Sequence, residues 1–210
     1  NDDSLNLVLN YLKNELNIQD LKNMLSELSR YRFLPLHGAF MGHSETTFKL
    51  FLSTYQEIFT IDEMKNFLMH RTNSFNVLHF AAENSNFNSL KIHLELVESR
   101  FGVEKLKEML SESKTRLTLH VALRNKSRNV SEIEFLFSIY EKHFTSTEMS
   151  NFMRMKAKVY TQKMRQSSKY KNASIFELTE NAQILEFIIQ KLKISSKCTY
   201  FHYEVLRLIK

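Results

Sequence analysis

The sequence predicts an all-α chain organised as a helical repeat solenoid, and three observations carry that expectation. Only three glycines and one proline occur in 210 residues. Tight-turn formers are therefore scarce, while Leu, Lys, Glu, Met and Phe, which helices accept, are abundant. Two independent motifs recur at a period of about 42 residues. Within each period, apolar residues fall at steps of three and four, the spacing of one helix face.

The first motif centres on Leu-His: "LPLHGAF" with His37, "NVLHFAA" with His79 and "LTLHVAL" with His120, at spacings of 42 and 41. The second follows in phase, as "IQDLKNML" from Ile18, "IDEMKNFL" from Ile61, "VEKLKEML" from Val103 and "STEMSNFM" from Ser146. Leu21, Met64, Leu106 and Met149 are 43, 42 and 43 residues apart. A shared period outranks an element-by-element reading, because it defines the unit that stacks.

Taken in order, the repeats run over 1–34 (partial), 35–75, 76–116, 117–172 and 173–210. The chain opens in mid-repeat, with a second helix from about Ser4, so the array is expected to continue N-terminally in a parent protein. Each repeat holds three helices. The first is short and begins at Leu-His, covering about 35–42, 76–84, 117–125 and 174–181. The second is amphipathic: in "TTFKLFLSTYQEIF", Phe48, Phe51, Leu52, Tyr55 and Phe59 form a stripe that needs a neighbour. The third is the "DEMKNFL" segment. Thr60-x-x-Glu63 and Thr145-x-x-Glu148 match a capping box, whose hydroxyl and carboxylate satisfy orphan amides at a helix start. Near the end, "CTYFHYEVL" aligns with the last third helix, and its aromatics close the array.

The Leu-His signature resembles that of ankyrin repeats, Thr-Pro-Leu-His-x-Ala. Leu34-Pro35-Leu36-His37-Gly38-Ala39 matches all but the threonine, and Asn76 to Ala81 and Leu117 to Ala122 keep Leu, His and Ala. The fourth copy, Ala173 to Leu178, keeps only an aliphatic at the Leu position. Ankyrin repeats are shorter, about 33 residues, and carry Gly-rich hairpin turns that this sequence lacks. A capped third helix and a short linker are therefore expected in the hairpin's place. A HEAT-like array, with a period of about 40 to 47, is the alternative architecture. The resemblance implies a structural repeat signature of Leu36, His37, Leu78, His79, Leu119 and His120. In it, the histidine ties neighbouring repeats through hydrogen bonds near the start of the first helix.

No residue pattern points to catalysis, a metal or a cofactor. The chain has no Gly-rich phosphate loop, no His-Glu-x-x-His and no Gly-x-Ser-x-Gly. Equivalent positions on stacked helices lie about 8–10 Å apart or more, whereas zinc holds nitrogen ligands at about 2.0–2.1 Å. His37, His79 and His120 therefore cannot share one ion. His43, His70, His93, His143 and His202 show no paired ligand spacing and read as surface or partly packed residues. The lone Cys198 permits no internal disulfide, and an intracellular setting is expected. No apolar run reaches the roughly 18 residues of a membrane span.

The net charge of +6 is local. Arg154, Lys156, Lys158, Lys163, Arg165, Lys169 and Lys171 fall in one stretch without an acid, which leaves the rest of the chain at −1. This is where extra sequence breaks the repeat, and Tyr160 and Tyr170 lie among the cations. It reads first as a solvated, mobile insertion over 154–171. As a contact site it suits an acidic protein face, phosphates and stacked bases, or an anionic membrane. The expected function is a non-enzymatic scaffold for another protein, because a solenoid leaves a long face free for recognition. A nucleic-acid- or anionic-lipid-binding module using the insertion is the alternative.

Overall fold

The computed structural model describes residues 2–30, 32–42, 44–72, 75–83, 87–111, 117–125, 128–154, 157–160, 170–173 and 182–194. Most of these are helical, so the all-α class holds. Two small antiparallel hairpins accompany the helices. The chain divides into two compact halves, Asn1–Glu112 and Ser113–Lys210.

The N-terminal half contains α1 (Asp2–Glu15), α2 (Ile18–Ser26), α3 (Pro35–Met41), α4 (Glu45–Ile58) and α5 (Ile61–Leu68). Strands β1 (Arg71–Thr72) and β2 (Phe75–Asn76) follow, then α6 (Val77–Glu83), α7 (Phe87–Phe101) and α8 (Val103–Ser111). Helix α3 packs on α4 and α6, α6 on α7, and α7 on α8, while α4 lies against both α1 and α7. The expected stripe of α4 is the reason: Phe48, Leu52, Tyr55 and Phe59 are buried, and Phe51 is half-buried. Each buried aliphatic or aromatic side chain contributes about 1.5–3 kcal/mol relative to exposure, enough to fix helices too short to persist alone. Thr60 caps α5 as expected: its hydroxyl accepts from the Glu63 amide and the Glu63 carboxylate accepts from the Thr60 amide.

The C-terminal half contains α9 (Thr118–Arg124), α10 (Val130–His143), α11 (Ser146–Arg154), β3 (Ala157–Tyr160), β4 (Tyr170–Ala173) and α12 (Ala182–Ile194). Its core includes Leu119, Ile133, Leu136, Phe137, Tyr140 and Ile188. Thr145 and Glu148 form the second capping box. An aromatic triad appears in each half. Tyr55, Phe59 and Phe67 pack with centroids 4.7–5.4 Å apart, and Tyr140, Phe144 and Phe152 with centroids 5.0–5.7 Å apart. Each member of the second triad lies 85 residues after its counterpart, two periods on.

Three expectations are corrected. A hairpin does precede α6: Thr72 pairs with Phe75 and Arg71 with Asn76 across a two-residue connection. Thr and Phe favour extended backbone, so a short ladder forms without glycine. The basic segment is not a plain insertion either. Arg154 ends α11, and Ala157–Tyr160 pairs in antiparallel register with Tyr170–Ala173. Val and Tyr in short runs alternating with polar residues favour that ladder over open coil. Third, His93 is fully buried. His70 and His143 are half-buried, as expected. His43, His202, the short helix expected at 174–181 and "CTYFHYEVL" lie outside the described residues.

Candidate functional site

The Leu-His signature solves a local problem. A helix start leaves backbone amides without intrahelical partners, and the cap residues of α3 and α9 are Leu34 and Leu117, which have no side-chain acceptor. His37 and His120 sit three residues on, where Nδ1 accepts from the Leu34 amide at 2.9 Å and the Leu117 amide at 3.2 Å. The imidazole does what glutamate does in a capping box. For His37 the bond is made within its own helix start, not between repeats as the resemblance implied. A second acceptor arrives from the neighbouring helix. The buried Tyr55 hydroxyl takes the Leu36 amide and donates to the Leu25 carbonyl. Tyr140 takes the Leu119 amide at the equivalent place. Burial pushes both phenols well above their ordinary range.

The segment between them keeps this bond, with His79 Nδ1 accepting from the Asn76 amide at 3.2 Å, and adds a second device. Asn76 precedes α6, its Oδ1 accepts from the His79 amide at 3.1 Å, and its Nδ2 donates to the Met109 carbonyl at 2.9 Å. Val97 stands where Tyr55 and Tyr140 stand, so no phenol arrives. His79 Nδ1 lies 2.6 Å from Asn76 Oδ1. The three histidines share a position and the Nδ1 contact to the amide three residues before them.

With the signature accounted for, the N-terminal half holds two features of functional interest. Ile18, Ile61 and Val103 each occupy the first position of a third helix, in α2, α5 and α8, and are 59%, 53% and 40% exposed. Beside Ile61 opens a cavity of about 230 Å³ between α4, α5 and α7. Buried Phe59, Met64 and Leu68 form its floor, half-buried Leu96 and Phe101 its wall, and exposed Gln56 and Arg100 its polar rim. The ion pair of Lys22 with Glu63, at 2.9 Å, joins α2 to α5 along this face. The Glu63 carboxylate is held below its usual range by the Thr60 amide and Lys22.

The second feature is internal. His93 and His37 are both buried in this half, with the Phe40 ring 5.0 Å from that of His93. His70 stacks on His37 at 5.2 Å and makes a 3.1 Å contact to the Arg32 carbonyl. Among the described residues no group of three His, Cys, Asp or Glu is placed to hold a metal ion.

Of the basic residues expected to meet a partner, Lys158 and Tyr160 lie in β3, and Tyr170 and Lys171 in β4. Lys158 pairs with Asn172, Val159 with Lys171, and Tyr160 with Tyr170. Lys156, Lys163, Arg165 and Lys169 lie outside the described residues. Sequence reasoning missed the aliphatic row, although the first letter of the motifs beginning at Ile18, Ile61 and Val103 carried its signal. It missed His93 because a lone histidine in an amphipathic helix has no periodic marker. No family model matches the chain, and comparison with curated proteins and with solved structures gives no match. No helix among the described residues is long and apolar enough to cross a membrane.

Proposed function

We propose that the chain is a non-enzymatic interaction scaffold of divergent ankyrin-like repeats stacked as a helical solenoid, and that the row of Ile18, Ile61 and Val103 receives an apolar segment of a partner protein. The row carries this reading. A β-branched residue at the first position of a helix adds nothing to helix stability. A single exposed aliphatic is ordinary, but three at one register position, one of them, Ile61, lining a groove with an apolar floor and a polar rim, form a pattern that folding does not require. In the C-terminal half the same register position is Ser146, so the row belongs to the N-terminal half alone.

The triple variant Ile18→Ser, Ile61→Ser, Val103→Ser tests this. It should melt within about 0.5 kcal/mol of wild type, as exposed substitutions do, and lose a stoichiometric protein that the wild-type chain retains at moderate salt. Equal retention by both chains sinks the reading. A second reading rests on the basic hairpin of Lys158 and Lys171 with its flanking cations, which suits nucleic acid or an anionic lipid surface. Steep loss of affinity with salt, reduced by neutralising those lysines, would favour it.

A further inference from the structure

We propose that the N-terminal half is built to open on acidification, through the buried imidazoles of His93 and His37. His93 has no exposed surface, and neither of its ring nitrogens has a hydrogen-bond partner. Its ring neighbour is the apolar Phe40, which offers only a weak edge contact. His37 is equally buried. Its Nδ1 accepts the Leu34 amide, its Nε2 has no partner, and the ring of His70 is stacked upon it.

Compensation for a proton is missing from this cluster. The titratable neighbour acting on His37 is His70, and the one acting on His93 is His37, so each neighbour is itself a base. Of the charged side chains on the helices around them, Lys22 on α2, Glu45 on α4 and Glu98 on α7 are half-buried, and Glu57 on α4, Glu83 on α6, Lys91, Glu95 and Arg100 on α7 and Glu108 on α8 are exposed. None of these acts on either ring. Protonating either imidazole in place would bury an unpaired charge, which a folded core avoids by opening.

The direction follows from linkage. Burial, with the neighbouring histidine adding to it, holds His93 down at about 3 and His37 at about 4, against 6.5 for an exposed histidine. Below about pH 6.5 the opened chain takes up protons that the closed one refuses, so stability present at neutral pH is lost as pH falls. With two such groups the opening constant rises about 100-fold per pH unit between roughly pH 6 and pH 4.5. The fold does not demand a histidine here: Leu136, buried at the equivalent place in α10, does the packing without the proton site. Because α7 also supplies Leu96, Arg100 and Phe101 to the groove, opening would dissolve that face. This consequence rests on the partner reading, whereas the opening does not.

Hydrogen exchange of the full chain at several pH values between 7.5 and 4.5, corrected for intrinsic rates, reads the opening alone. In wild type the opening constant for α3 and α7 amides should climb about 100-fold per unit below pH 6, and in His93→Leu about tenfold. The amides of α9 and α10 should not respond to the substitution. Equal slopes in the two proteins would overturn the proposal. Should His93→Leu fail to fold, the wild-type imidazole signals decide. A His93 ring that stays neutral until the α7 signals collapse supports it, and one that titrates near pH 6.5 within an intact α7 overturns it.

Discussion

The starts of α3 and α6, in the same half of the molecule, share one histidine–amide bond, from Leu34 to His37 and from Asn76 to His79, and differ in the acceptors around it. At α3 the cap is Leu34, and a histidine within the helix and a tyrosine from α4 supply the acceptors. At α6 the cap is Asn76, which brings its own oxygen, and the neighbouring helix presents Val97. What recurs is therefore the histidine acceptor three residues into the helix, while the second acceptor changes with the residues around it. A buried donor or acceptor without a partner costs about 1–3 kcal/mol, more than most single contacts contribute. The C-terminal half repeats the α3 solution, with Leu117, His120 and Tyr140.

The largest effect should come from removing the phenol oxygen where nothing else can replace it. Tyr55→Phe keeps the ring and its packing on Phe59 and Phe67, but strands the Leu36 amide and the Leu25 carbonyl, both in buried surroundings. A loss of about 2–4 kcal/mol is expected from two stranded groups, read as a lowered denaturant midpoint at unchanged slope. Tyr140→Phe should act in the same direction in its own half. A loss below about 0.5 kcal/mol at Tyr55 would show that the hydroxyl is incidental and that the two helix starts are not solving one problem.

Next in size is the exchange of one solution for the other. Asn76→Leu deletes the cap oxygen of α6 and the donor to the Met109 carbonyl, and should cost about 2 kcal/mol, the sum of a lost cap and a stranded carbonyl. Adding Val97→Tyr places a phenol where α4 and α10 have one. If the devices are interchangeable, the double variant should be more stable than the sum of the single effects, with a coupling of about 1 kcal/mol. Strict additivity would mean that the α6 start cannot receive the phenol.

These pairs also explain which parts of the fold were legible. The short first helices α3, α6 and α9, the stripe of α4 and both capping boxes rest on interactions within about four residues or on spacing, and both are written along the chain. Leu-His was legible as a mark but not as a mechanism, because its second acceptor, Tyr55, arrives from a different helix. The hairpin before α6 escaped notice because two-residue strands leave no alternation to detect. The aliphatic row of Ile18, Ile61 and Val103 was printed in the repeats, yet its exposure depended on which face of α2, α5 and α8 the packing left open. His93 was the least visible: its burial follows from the docking of α7 on α4 and α6, which no local pattern encodes.

The smallest effect concerns a position where copying the other repeats should fail. The residue before α5 is Thr60 and that before α11 is Thr145, each the hydroxyl of a capping box, and the residue at the same register before α8 is Gly102. Consensus reasoning would replace Gly102 by Thr and expect a gain of about 1 kcal/mol from the restored cap. The backbone argues against it. Gly102 has φ +86°, a region where a Cβ meets the adjacent carbonyl at a cost of about 1–2 kcal/mol. The surroundings leave room for a side chain, with no heavy atom within 4 Å of an added Cβ, so any penalty is torsional and not steric crowding by neighbours. Both Gly102→Ala and Gly102→Thr should therefore lower stability by about 1 kcal/mol, with Thr no better than Ala, because the cap cannot form at this φ. If Gly102→Thr instead stabilises while Gly102→Ala does not, the segment before α8 can adopt the backbone of its two counterparts. The difference between these repeats would then lie in sequence history and not in conformation.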